Sequence, residues 1–263
     1  MKVLRKLLLA VALFYLPFQS MAWGMLGHRI VAEIADSYLN KKARRQIRQI
    51  LGYESMAITS NWPDFIKSDT AFNYLSPWHY INLREGLAEA EIESILAKDT
   101  SVNAYTKINF LTDQLKNNKT LNQEKKLMYL RLLIHIVGDV HQPMHVGRFE
   151  DLGGNKIKLS WFNEPANLHS IWDEKLIDYQ QLSYTEYAKA INHTSKEQRK
   201  EWQKQPVSQW IINSYNIAQK IYAGVKPDQK LGYRYNFDYI GTLNDQLLKG
   251  GVHLAGLLNE IYS

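Results

Sequence analysis

The chain of 263 residues contains no cysteine, which excludes a disulfide framework and any thiolate metal site. It has no low-complexity tract and no internal repeat, which excludes disordered linkers and solenoid folds. No stretch beyond residue 22 is apolar over the roughly 20 residues that a membrane span needs. With 45% hydrophobic and 12% aromatic residues, the chain can bury one sizeable core, and its length does not demand two domains.

The first 22 residues have the composition of a secretory signal peptide. Three basic residues precede an apolar stretch at 7–18, and a small-x-small cleavage site ends at Ala22. A membrane anchor is the alternative, but the apolar stretch is short for a span. We therefore predict cleavage after Ala22, one mature domain over residues 23–263, a secreted or periplasmic location, and no stable membrane association.

The net charge of the predicted mature chain is only mildly positive and does not by itself argue for a particular substrate. The formal net charge is +6, of which three positive charges belong to the predicted signal peptide, so the mature chain carries +3. This is compatible with a phosphate-bearing substrate, but tight duplex binding would need a denser basic patch. The predicted compartment permits disulfides, but this chain has no cysteine to form them. Bound metal ions are one other means of stabilising the fold. A monomer is expected by default.

The stretch 127–147, LMYLRLLIHIVGDVHQPMHVG, carries three histidines and one aspartate. His135 and Asp139 lie four residues apart in an apolar run, so a helix would project both from one buried face. Such a pair can satisfy itself, but a divalent cation is the stronger partner for a buried carboxylate and imidazole. Pro143 is expected to end the helix and to let His145 fold back toward the pair.

Apolar periodicity predicts a mainly helical protein with one short β-hairpin. The alternation in KIKLSWF, residues 156–162, predicts a strand, and Pro77 favours an extended segment at 76–82. His253 has no acidic neighbour at turn spacing, and we interpret both His193 and His253 as structural or solvated. The predicted helices cover about 26–42, 43–51, 89–96, 102–115, a central helix from 123, 184–192, 208–222 and 239–261.

Further imidazole and carboxylate side chains along the chain could complete a metal site. Taken singly, each has an ordinary explanation, either as a satisfied core histidine or, for Asp64 after a proline, as a helix cap. Together, with a second His–Asp pair at turn spacing, they favour Zn²⁺ with an open position for water, and clustered metals favour phosphoester hydrolysis. These candidates are His28, Asp64, His79, His169 and Asp173.

Six motifs follow one another along the mature chain: WGxxGH at 23–28, WPD with a lysine three residues after its aspartate, WHY at 78–80, HxxGDxHQPxH at 135–145, GGN at 153–155 and NLHxxWD at 167–173. In this order and spacing they closely resemble the zinc-dependent single-strand nucleases of fungi and plants, the family named for nucleases S-one and P-one. The resemblance extends to LNDQLLKGGVHLAGLLN near the C-terminus. It implies a mainly α, phospholipase C/nuclease P-one-like fold with one short β-hairpin and a trinuclear zinc cleft.

The resemblance also implies three zinc ions per chain with specific ligands. His141 belongs to the HQP element without being a ligand, and we interpret it as a supporting residue. The third ion would need the free α-amino group of Trp23, which exists only after cleavage behind Ala22. One ion would take Asp64, His79, His135 and Asp139, a second would take His145, His169 and Asp173, and the third would take His28, Asp139 and the amine and carbonyl oxygen of Trp23.

The activity that the resemblance implies is hydrolysis of single-stranded DNA and RNA to 5′-phosphorylated products, with 3′-nucleotides as further substrates. A water between two zincs would attack phosphorus, oriented by Asp64, and another zinc would stabilise the departing 3′-oxygen. Lys67 would steady the phosphoryl charge, and Asn155, whose preceding glycines allow a close backbone approach, would contact the phosphate. Tyr80 would stack on the base, and Asn82 replaces an acidic residue common in fungal members, which leaves base preference open.

Two alternatives remain at this stage. A zinc phospholipase C of the bacterial kind shares the fold and the N-terminal tryptophan, but its last ligand is usually glutamate where this chain has Asp173. The lysine of the WPD element and the GGN loop also favour a nuclease. A non-catalytic secreted zinc-binding protein would need neither an open coordination position nor Lys67.

Overall fold

Helices dominate residues 23–263, which are the part of the chain that the computed structural model describes; the predicted signal peptide lies outside the described residues. Short 3₁₀-helices span Ile66–Ser68, Thr70–His79 and Pro143–Val146, and a π-helical turn spans Ile171–Lys175. The α-helices are α1 (Met25–Ser37), α2 (Lys41–Leu51), α3 (Met56–Thr59), α4 (Trp62–Phe65), α5 (Glu89–Lys98), α6 (Ala104–Asn117), α7 (Gln123–Asp139), α8 (Leu168–Ser170), α9 (Leu176–Asp178), α10 (Tyr184–Ile191), α11 (Lys196–Trp202), α12 (Val207–Ala223) and α13 (Tyr233–Ile261).

A small sheet lies beside the helices, with strands β1 (Lys158–Trp161), β2 (Glu164–Asn167) and β3 (Lys230–Leu231) in the order β2-β1-β3. β1 and β2 form an antiparallel hairpin. Its two turn residues, Phe162 and Asn163, have φ of 47° and 71°, the left-handed conformation that a tight hairpin turn requires. The predicted hairpin is confirmed, and it carries a third, parallel strand.

The core surrounds the C-terminal half of α7, because that half is apolar apart from His135 and Asp139. Leu132, Ile136 and the residues between them are buried, so the helix runs through the interior. Buried side chains from most other elements join it in one hydrophobic cluster. Within residues 23–263, no helix is both long and apolar enough to cross a membrane.

Several helix ends differ from the sequence-based predictions, and local capping explains two of them. The first helix ends at Ser37, because Asn40 accepts a hydrogen bond from the backbone of Ala43 and begins α2. Ser195 likewise begins α11, a helix that the sequence analysis did not predict. α7 ends at Asp139, four residues before Pro143, and α13 begins at Tyr233 rather than at residue 239.

The prediction of an extended segment at 76–82 is wrong for its first half. A 3₁₀-helix continues through Pro77 to His79, and its start is capped by Asp69, which accepts from the backbone of Ala71 at 3.0 Å. Proline is compatible with this turn because it fixes φ near the helical value and only removes one donor. The chain becomes extended at Tyr80.

Gly251 provides a test of how closely α13 packs on α1. A Cβ at this position would lie 2.5 Å from Ile34 Cγ2 and 3.0 Å from the carbonyl oxygen of Val31. We expect Gly251→Ala to lower the free energy of unfolding by about 1–3 kcal/mol through overpacking. Gly241→Ala on the same helix is the control, because nothing lies within 4 Å of its Cβ, and it should be neutral or stabilising by up to about 1 kcal/mol. Urea denaturation measures both, and equal midpoints would contradict the packing argument.

Candidate metal centre

The centre of the site is Asp139, a fully buried carboxylate at the end of α7. As the four-residue spacing predicts, His135 shares its helix face, and its Nε2 lies 3.3 Å from Asp139 Oδ2. His79 Nδ1, at the end of the 3₁₀-helix, lies 3.0 Å from the same oxygen. His28 from α1 stacks on His135 at 3.7 Å between ring centroids, and its Nε2 lies 3.4 Å from Asp139 Oδ1. Three elements therefore bring imidazoles to one carboxylate.

Asp64 joins this group from α4. Its Oδ1 lies 3.7 Å from His135 Nε2, and ligand atoms of Asp64, His79 and His135 all lie within 4.8 Å of one another. The same is true of His28, His135 and Asp139. Two sets of donors thus occupy one buried region, and they overlap at His135; the sharing of Asp139 by two ions stays a prediction.

A second region is built from His145, His169 and Asp173, whose ligand atoms also lie within 4.8 Å of one another. The Nε2 atoms of His169 and His145 lie 3.0 and 3.5 Å from the two oxygens of Asp173. His145 Nδ1 is 3.5 Å from Asp139 Oδ1, so the two regions adjoin. The fold-back of His145 toward the His135–Asp139 pair is confirmed.

Backbone carbonyls fix the tautomer of three of these histidines. The Nδ1 atoms of His135, His145 and His169 donate to the carbonyl oxygens of Ser60, His79 and Gly153, at 2.6, 2.7 and 2.7 Å. A carbonyl oxygen only accepts, so Nδ1 carries a proton, and in the neutral ring Nε2 presents its lone pair to the site. That is the form in which histidine binds a metal.

The donor atoms fit metal ions because many of them are buried without a hydrogen-bond partner. Leaving such atoms unpaired costs free energy that a bound cation would recover. All are nitrogen or carboxylate oxygen, which suits Zn²⁺. Among the described residues the unpaired atoms in this region are both ring nitrogens of His28, Nε2 of His79 and His145, Oδ2 of Asp64 and Oδ1 of Asp139.

The charges in the centre keep the carboxylates ionised. Burial would raise the pKa of Asp139, but the neighbouring imidazoles, His135 first, hold it well below its ordinary value. For Asp64, burial is likewise outweighed by His135 and Lys67, and the pKa falls to about 2. Burial lowers the pKa of His135 to about 3, so this imidazole stays neutral. Each of these side chains is therefore in its metal-binding protonation state.

Trp23 lies directly beside the centre. Its side chain is fully buried, and its Nε1 donates to the carbonyl oxygen of Gly138 at 2.7 Å. Gly138 itself leaves room for His28, because a Cβ there would lie 2.9 Å from His28 Nδ1. The α-amino group of Trp23 adjoins residue 22, outside the described residues, and its role as a ligand stays a prediction.

A cavity of about 490 Å³ is lined by three of the candidate ligands, His79, His145 and His169, and we call it the cleft. Lys67, at its edge, holds Asp64 through a 2.6 Å bond from Nζ to Oδ1. Tyr80 is 42% exposed, which leaves its ring free to meet a ligand. The residues that line the cleft are Lys67, Phe72, Asn73, Ser76, His79, Tyr80, Asn82, Met144, His145, Leu152, Asn155, Lys156, Asn167 and His169.

The glycines before Asn155 have a structural task that the sequence analysis did not identify. Gly153 has φ of +63°, and a Cβ there would lie 2.3 Å from the carbonyl oxygen of Met144. Its own carbonyl oxygen accepts the Nδ1 proton of His169. The glycine therefore places a candidate ligand. Asn155 is half-buried, lines the cleft, and donates from Nδ2 to the carbonyl oxygen of Leu152 at 2.8 Å.

Gln142 was also missed, although it stands inside the HQP element. It is fully buried, its amide donates to Asp173, and its oxygen accepts from the backbone of Met144. Its neighbour His141 points away from the metal centre and lies 2.7 Å from buried His253, from Nε2 to Nδ1. We interpreted His193 and His253 from the sequence as structural or solvated. In the structure His253 is buried and structural, whereas His193 is exposed to solvent.

The chain is similar to known nucleases over most of its length. The family model described as S1/P1 Nuclease matches residues 23–263. The chain is 27% identical to "Endonuclease 3" of Arabidopsis thaliana over 266 residues, which cover 93% of this chain and 90% of that protein. It is 28% identical to "Nuclease S1" of Aspergillus oryzae, with 92% of each chain covered. It is also 28% identical to "Nuclease P1" of Penicillium citrinum, with 91% of this chain and 98% of that protein covered.

The grouping of donors predicts how zinc content responds to single substitutions. Asp139→Asn should lose the two ions that share this carboxylate, whereas Asp173→Asn should lose only the ion in the second region. Elemental mass spectrometry of dialysed, zinc-loaded protein measures the ions per chain, and thermal melting shows that each variant is folded. His193→Gln, at an exposed histidine, is the control and should keep all ions. Equal losses in both aspartate variants would contradict two separate regions.

Proposed function

Because the chain belongs to the S1/P1 nuclease family, we propose that it is a secreted zinc-dependent endonuclease that hydrolyses phosphodiester bonds of single-stranded DNA and RNA. Family membership makes it a hydrolase of nucleic acids at the level of the family. The finer proposal adds three zinc ions per chain, 5′-phosphorylated products and activity on 3′-mononucleotides. The observation that carries it is the cleft, where three buried candidate ligands, His79, His145 and His169, lie beside Lys67, the lysine that holds Asp64.

The protein's own groups have distinct tasks in this proposal. When bound, zinc activates water for attack on phosphorus and neutralises the departing 3′-oxygen. Asp64, which is ionised and held by Lys67 at 2.6 Å, orients the nucleophile. The Lys67 ammonium group lies at the edge of the cleft with its side chain 19% exposed, so it can also reach a phosphoryl oxygen and stabilise the charge that develops there.

Preference for single strands follows from the shape of the cleft. A base stacks on Tyr80 only after leaving a duplex stack, and unpairing costs free energy that a single strand does not pay. Stacking accepts every base, so weak sequence preference is expected. Asn155 supports the sugar–phosphate chain, and Asn82 offers both donors and acceptors to the base edge.

Two other functions were compatible with the sequence, and both have less support than the nuclease proposal. A phospholipase C of the same fold would act on a lipid phosphodiester, but the relatives reported above are named as endonucleases and nucleases. A non-catalytic zinc protein gives no reason for a lysine held against a candidate ligand at the edge of an open cleft.

The nuclease proposal is tested with Lys67→Met on single-stranded DNA, RNA and phosphatidylcholine. The wild type should release nucleotides with a 5′-phosphate, lose this activity to a chelator and regain it with zinc. The variant should keep its zinc but lose kcat by about 10²–10³-fold, because one charge-stabilising donor is gone. Lys200→Met removes the same charge from exposed α11 and should leave kcat unchanged. Lipid cleavage with inert nucleic acid would overturn the proposal in favour of the phospholipase.

The proposed role of the Trp23 amine gives a separate prediction. A chain that begins at Trp23 should bind all three ions, whereas the same chain with one added glycine before Trp23 should lose one, because an amide nitrogen has no lone pair to offer. An added C-terminal glycine is the control. Intact mass of the exported protein tests cleavage after Ala22. Equal zinc content in both N-terminal forms would show that the amine is not a ligand.

A further inference from the structure

The 3₁₀-helix Thr70–His79 forms one wall of the cleft. A 3₁₀-helix has three residues per turn, so side chains three apart lie in straight rows. Asn73, Ser76 and His79 form one such row, and all three line the cleft. Leu75 and Trp78, in a second row, are buried in the core. The helix therefore directs a polar row toward the cleft and buries Leu75 and Trp78 in the interior, while Phe72, at the start of the second row, also lines the cleft.

The third row faces outward and carries Tyr74, which is 52% exposed. Tyr80, the first residue after the helix, is six positions further on, which corresponds to two turns or about 12 Å along the axis. Tyr74 is supported by Phe72, with ring centroids 6.4 Å apart and planes 26° apart, and by the edge of Trp78 at 6.1 Å. It is thus a braced aromatic ring beside the cleft.

The polar row next to Tyr74 has free hydrogen-bonding capacity. Asn73 and Ser76 are exposed, and neither side chain bonds to another group within residues 23–263. Asn73 offers both an amide donor and an acceptor, and Ser76 a hydroxyl. Such groups at the edge of a cleft suit the sugar and phosphate oxygens of a nucleotide.

We propose that Tyr74, Asn73 and Ser76 form a second nucleotide subsite, which binds a base and its sugar–phosphate unit beyond the one held at Tyr80. The subsite takes a single-stranded polynucleotide of any base, since it combines one stacking ring with polar contacts to the backbone. This inference rests on the proposed nuclease function. It predicts that affinity grows with substrate length, because a dinucleotide at Tyr80 is too short to cover the further 12 Å or so to Tyr74.

The experiment compares KM for a thymidine hexanucleotide with KM for a thymidine dinucleotide. Wild type should bind the hexamer more tightly. Tyr74→Ala should raise the ratio of hexamer KM to dinucleotide KM about tenfold, the loss of one stacking contact, with kcat little changed. Tyr74→Phe keeps the ring and should restore the wild-type ratio. Tyr53→Ala, at a fully exposed tyrosine outside the cleft, is the matched control.

The outcomes separate this inference from the proposed function. If wild type cleaves both substrates and Tyr74→Ala leaves the ratio unchanged, the second subsite is wrong and the nuclease proposal stands. The same holds if Tyr74→Ala weakens both substrates equally, because that is the behaviour of a structural residue. If wild type cleaves neither substrate when loaded with zinc, the proposed function itself fails.

Discussion

The structure depends on one buried carboxylate. Asp139 is fully buried, and His28, His79, His135 and His145 all approach it within 3.5 Å. An isolated ionised carboxylate at this depth would be very costly, so polar partners must be assembled around it. The imidazoles come from four different elements, and each element has to be in place before the carboxylate has all of these partners. The packing of the helices and the construction of the site are therefore the same event, and in a chain without cysteine a bound cation would secure both.

The ends of helices supply the contacts that orient the imidazoles. Carbonyl oxygens in the last turn of a helix have no partner within it. Ser60 follows α3 and accepts from His135, while His79 ends the 3₁₀-helix and accepts from His145. Gly138, in the last turn of α7, accepts from Trp23. Each of these three helix ends thus leaves a carbonyl oxygen that either orients an imidazole ring or holds the Trp23 side chain.

The local part of this arrangement could be predicted from the sequence, and the non-local part could not. Spacing alone put His135 and Asp139 on one face, and the other donors were candidates whose grouping came from the resemblance to the nuclease family. Nothing in the sequence indicated the pairing of β3 with β1, since the two strands are far apart in the chain. The 3₁₀-helix through Pro77 was predicted as extended, because proline signals a break more often than a tight helix. The holding of Asp173 by Gln142 depends on tertiary contact, and only its place inside the HQP element could have suggested it.

The three-residue period of that 3₁₀-helix aligns a candidate metal ligand with side chains that would contact the substrate. In an α-helix, residues three apart are rotated by about 60° from one another, whereas in a 3₁₀-helix they align. Asn73 and Ser76 therefore continue the line of His79, a candidate ligand, along the cleft wall. The same period places Leu75 and Trp78 in the core, where their burial stabilises the helix. One element thus sets both the position of a metal donor and the direction in which a single strand would leave the centre.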